Sequence, residues 1–102
     1  AFQYSNQMVA TAGFIAGAVA EPAMADLEAA YAAALAERVT GPMGMVDTTL
    51  SLEEVLARGN YAIPHGYRID ATYVPIAFKI EQMLRPINPS GGHWSTLEDM
   101  AR

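Results

Sequence analysis

His65, Arg68 and Asp70 fall within six residues of one another. A base, a guanidinium and a carboxylate so close in the chain could polarise a carbonyl or hold a carboxylate ligand, which would make a small enzyme or enzyme subunit. The simpler reading is a strand in which Arg68 and Asp70 share one face as a solvent-exposed ion pair, worth under ~1 kcal/mol. His65 and His93 are the two histidines, and neither sits in a spaced pair such as HxxxH. With Asp47 or Asp70 they would bind a metal only if the fold gathered them. Glu53 and Glu54 read as capping and surface residues rather than an acid–base pair. No GxSxG elbow, GxGxxG turn or GxxxxGK[ST] phosphate loop occurs. No catalytic residue, metal ligand or cofactor is expected.

Composition narrows the classes further. The chain has 102 residues, six cations, 11 acidic residues and a net charge of -5. Arg38, Arg58, Arg68, Lys79, Arg85 and Arg102 are scattered, with no two adjacent. Phosphate backbones are held by clustered Lys and Arg, so no direct nucleic-acid partner is expected, and no polybasic anchor meets an anionic membrane. With no cysteine, disulfides, thiolate catalysis and Cys-ligated metals are excluded. Hydrophobic residues make up 52% and charged residues 17%, against about 25% charged in ordinary domains. Of 19 alanines, 14 precede position 40. Few charges with many small apolar side chains describe a subunit whose contact faces need not be wet.

The elements that must position these residues read as one mainly α domain over 1–102, with a small extended segment. Residues 1–40 form a helical assembly region, either a helical hairpin or a long helix broken at Glu21-Pro22. Ser5 caps a helix to about Val19, with Met8, Ala12, Ile15 and Val19 on one stripe and Ala10, Gly13 and Gly17 in a bare groove. Pro22 opens the first turn of an Ala-rich second helix, on which Met24, Leu27, Tyr31 and Leu35 mark one face. Thr40-Gly41-Pro42 stops it, with Gly41 as a left-handed cap.

Residues 41–85 form a small mixed segment. Ser51 and Glu54 have capping-box spacing and start a short helix ended by Gly59. Tyr67, Ile69, Ala71 and Tyr73 alternate as one strand, and a helix runs from about Pro75 to Leu84. Residues 86–102 form a Pro/Gly-rich arm carrying Trp94, with Ser95 and Glu98 capping a last short helix.

The first 20 residues carry no charge. The triplet Ala18-Val19-Ala20 has a signal-peptidase form, but no positive region precedes it. Ser5–Ala20 would span only ~24 Å as a helix, against a ~30 Å bilayer core, so a membrane-complex subunit is the weaker alternative. An ion-free opening must instead be covered by its own core or by a partner chain. The expected function is structural: a coat, sheath, filament or accessory subunit associating with copies of itself or another protein. The candidate contact residues are Phe2, Tyr4, Met8, Gly13, Phe14, Ile15, Gly17, Val19 and Trp94.

Overall fold

The computed structural model describes residues 2–102. Its fold is mainly α with one small antiparallel sheet. Helix α1 spans Asn6–Ala20 and α2 spans Leu27–Leu35, continued by a π-helical turn over Ala36–Thr40. Then come α3 (Leu52–Arg58), strands β1 (His65–Tyr67) and β2 (Tyr73–Pro75), α4 (Lys79–Met83), a 3-10 segment (Arg85–Ser90) and α5 (Leu97–Met100). Of the two forms allowed for residues 1–40, the hairpin is the one adopted: α1 packs on α2 and, along the same side, on the 3-10 segment.

Local chemistry explains each boundary. The Ser5 hydroxyl accepts the Met8 N–H at 3.3 Å, and the chain leaves α1 after Ala20. Pro22 does not open the second helix. It lies in a turn closed by Met24 N–H on Glu21 C=O at 3.0 Å, where a fixed φ suits the second position. Asp26 takes the cap instead, because its carboxylate accepts both Glu28 and Ala29 N–H groups, at 2.9 and 3.2 Å. Met24 is therefore outside α2. Gly41 is right-handed, with φ -62°; the helix ends by widening, as Gly41 N–H reaches back to Ala36 C=O at 2.8 Å.

Ser51 caps α3 by accepting Glu54 N–H at 3.2 Å, and Gly59 ends it at φ 71°. The box is not reciprocal. The Glu54 carboxylate accepts the Thr49 hydroxyl at 2.7 Å, and Thr49 Oγ1 in turn accepts the Ser51 N–H at 3.0 Å. The expected single strand over 67–73 is a hairpin, with His65, Gly66 and Tyr67 opposite Pro75, Val74 and Tyr73. Asp70 Oδ1 forces the bend by accepting the Thr72 N–H and hydroxyl at 3.1 and 2.6 Å. Pro75 ends β2, and the helix beyond it starts only at Lys79. The last cap is Thr96, one residue past Ser95, because Asp99 rather than Glu98 occupies the inward position.

Alanine sets the packing. Ala10, Ala30, Ala34 and Val55 are the buried hydrophobic residues, with Gly17 also buried on α1. A Cβ on Gly17 would lie 2.6 Å from Tyr31 N and 2.7 Å from Tyr31 Cα, so the α1 backbone touches the α2 backbone. Gly13 likewise leaves no room beside the Pro89 ring. The groove of small residues thus serves a crossing within the chain. At the far end the buried Asp99 carboxylate accepts Asp47 N–H at 2.8 Å and the Thr48 hydroxyl at 2.9 Å. It fastens α5 to the loop before α3, and Trp94 and Thr49 exchange backbone hydrogen bonds beside it at 2.8 and 2.9 Å.

Alanine in place of glycine within a helix ordinarily gains up to ~1 kcal/mol. Gly17→Ala is expected to reverse that sign, because backbone atoms cannot yield to the new methyl; overpacking costs about 1–3 kcal/mol. Thermal unfolding followed by circular dichroism should show a midpoint lowered by roughly 4 °C or more. An unchanged or higher midpoint contradicts the backbone contact.

Candidate functional site

The residues with the strongest chemical potential do not gather. His65 lies on β1 with Nδ1 against Ile63 C=O at 2.8 Å, while Arg68 and Asp70 stand in the exposed hairpin turn. Hydrogen bonds from the Thr72 hydroxyl and N–H hold the Asp70 carboxyl below its usual range. Arg68 and Asp70 form no ion pair, since the chain bends between them. None of the three lines the main cleft. Among the described residues, no group of three or more His, Asp or Glu is placed to hold a metal ion.

The other histidine belongs to a packed row. Phe14 meets Tyr31 edge-on at 6.2 Å between ring centroids, and Tyr31 meets His93 at 6.1 Å, with the phenol oxygen 3.3 Å from Nε2. Partial burial lowers the His93 pKa and raises that of Tyr31. A second row runs Tyr61, Phe78, Trp94, with neighbouring centroids 5.2 and 5.9 Å apart. Trp94 is half-buried there, so the arm folds back over its own chain. Gly13, Gly17, Phe14 and Trp94, four of the expected contact residues, are thus engaged within the chain.

The remaining five are exposed. Phe2 and Tyr4 are exposed ahead of α1, and Met8, Ile15 and Val19 are 71, 59 and 76% exposed along it. At 100° per residue Met8, Ala12, Ile15 and Val19 share one stripe, opposite the face that Ala10, Gly13 and Gly17 turn to α2 and Pro89. Helix α1 is therefore apolar on both sides, and only one side is covered. No helix of the described residues is long and apolar enough to cross a membrane.

A cleft of about 670 Å³ lies elsewhere, between α2, the loop before α3, α4 and Trp94. Leu35, Leu50, Leu52 and Trp94 supply its apolar lining, and Asp26, Glu28, Glu53, Glu54 and Glu81 its carboxylates. Its cation, Arg85, grips Glu28 through Nε and Nη2 at 3.1 and 3.0 Å, which raises the guanidinium pKa. Residues from 26 to 94 meet here, so no local motif could have announced it.

The molecule is also open for its size. It exposes 7458 Å², where a folded monomer of 10.9 kDa exposes about 5,600 Å². Its radius of gyration is 15.5 Å, against about 13 Å for a compact chain of this length. The chain has three Phe, five Tyr and one Trp, and none of them is among the buried residues. Comparison with known proteins adds no relative: no family model matches the chain, and no curated protein or solved structure does.

Because folding favours neutral His93, its contribution to stability is full above the unfolded value of 6.5. That contribution falls away as pH drops through this value toward the lower folded one. Urea midpoints should therefore be lower near pH 5 than near pH 7.5, and His93→Gln should shrink that difference. An unchanged difference in the variant contradicts the assignment.

Proposed function

We propose that this chain is a structural subunit that associates, through the outer face of α1 and the residues leading into it, with copies of itself or with another protein. Coat, sheath, filament and accessory roles share this mechanism. The observation that carries the reading is the uncharged stripe Met8, Ala12, Ile15 and Val19, which faces water on a helix whose other side is already packed. A surface helix ordinarily turns charged residues outward, and α1 has none to turn.

The areas agree with such a role. The chain exposes roughly 1,900 Å² more than a compact monomer of its mass, and a stable contact covers about 800 Å² per partner. Burial of the stripe is the driving force, at ~25 cal/mol per Å² of apolar area. The ion-free stripe also tolerates a neighbour without stranding a desolvated charge. Specificity then falls to shape: Ala12 and Ala16 are exposed and small, so a second helix can approach closely there.

Sedimentation velocity of the purified chain over a range of concentrations tests the reading. Mass-action association is expected in the wild type, and Ile15→Glu with Val19→Glu should return it to a monomer with unchanged helicity. A wild-type chain that stays monomeric at high micromolar concentration contradicts self-association. A double variant that associates as the wild type does removes α1 from the contact.

A further inference from the structure

The cleft beside Trp94 holds more carboxylates than the fold uses. Of its five, Glu28 is paired with Arg85, Asp26 caps α2, and Glu54 accepts the Thr49 hydroxyl. Glu53 on α3 and Glu81 on α4 remain. The ion pairs among the described residues are Arg58–Asp47, Arg85–Glu28 and Arg102–Asp99, so neither Glu53 nor Glu81 has a cationic partner. Arg85 does not supply the missing charge. Its guanidinium is committed to Glu28 and also feels Glu53 and Asp26, so several carboxylates share one fixed cation.

The spacing of these groups selects the occupant. They line one cleft but do not converge on a point: among the described residues, no three acidic or histidine side chains are placed to hold a metal ion. A compact cation would meet one carboxylate and leave the other unanswered. A complementary ligand carries its charges apart, joined by an apolar body, because Leu35, Leu50, Leu52 and Trp94 supply apolar lining to the same cleft. Methylene chains lie along such surfaces while their ammonium ends stay at the polar rim, as lysine side chains do. The indole of Trp94 offers a further face to a cation. The volume of about 670 Å³ falls within the ~300–1,000 Å³ typical of small-molecule sites. We infer that the cleft binds a linear aliphatic polyamine, its ammonium groups on Glu53 and Glu81 and its methylenes along the leucines and Trp94. No residue of α1 lines the cleft, so the inference stands apart from the assembling role of that helix.

Spermidine, a linear triamine, is the probe. Trp94 is the only tryptophan in the chain, so its fluorescence reports from within the cleft while calorimetric titration gives the affinity. Saturable binding with a change in Trp94 emission is expected, about tenfold or more tighter than for n-butylamine, which brings a single charge. Glu53→Gln with Glu81→Gln keeps the side-chain shapes and should weaken spermidine binding about tenfold. Glu37→Gln with Glu98→Gln removes the same charge from exposed positions outside the cleft and should bind as the wild type does. Circular dichroism checks that both variants fold. Absence of saturable binding overturns the inference, as does equal affinity for butylamine. An equal loss in the two double variants would show that bulk charge alone attracts the amine, and also overturns it. So does displacement of spermidine by an equal concentration of magnesium ion, because a compact ion would then satisfy the same groups.

Discussion

The contact that governs this molecule is the touch of two helix backbones at Gly17 and Tyr31. It exists because α1 and α2 meet through glycine and alanine, side chains small enough to let the helices close up. The same choice limits what the meeting can hide. A seam of Ala10, Gly17, Ala30 and Ala34 fits closely but removes little apolar area from water. The larger apolar side chains have no interior to enter and stand on the outside of α1, on the hairpin and around the cleft. An open shape and an apolar surface are thus two results of one packing decision.

Polar chemistry does the joining that a larger core would otherwise do. Asp99 is the most deeply buried large side chain, and it ties α5 to the loop before α3. Arg58 reaches the Asp47 carbonyl at 2.9 Å, and the Arg85–Glu28 pair clips the 3-10 segment to α2. The two aromatic rows extend this framework, one beside α1 and one beneath the arm. Directional bonds of this kind fix geometry more than they add stability. A scaffold of this type holds its outward faces in place without covering them.

Much of the local fold was legible in the sequence. Ser5, Ser51 and Gly59 mark helix ends because capping is decided within four residues, and the α1 stripe follows from helical period alone. Errors arose where two local solutions compete and tertiary contacts choose. Pro22 fits both a first helical turn and a β-turn, and Asp26 decides by offering a carboxylate to two N–H groups. Alternation over Tyr67–Tyr73 suits a strand as well as two strand ends, and the Asx turn at Asp70 makes it the latter. Thr96 displaced Ser95 as a cap because Asp99 is drawn across to Asp47 and Thr48. Gly13 and Gly17 announced a close approach but not whose backbone would come. The cleft was invisible, since its walls come from four separate segments.

Solvent access to Val19 as a function of protein concentration tests the central claim most directly. The chain contains no cysteine, so a single Val19→Cys reports on α1 alone, with exposed Ala57→Cys on α3 as a reference. At high protein concentration the thiol at 19 should react with maleimide much more slowly than the thiol at 57, and dilution should abolish the difference. Equal rates at every concentration would mean that the outer face of α1 stays wet, and would contradict the account.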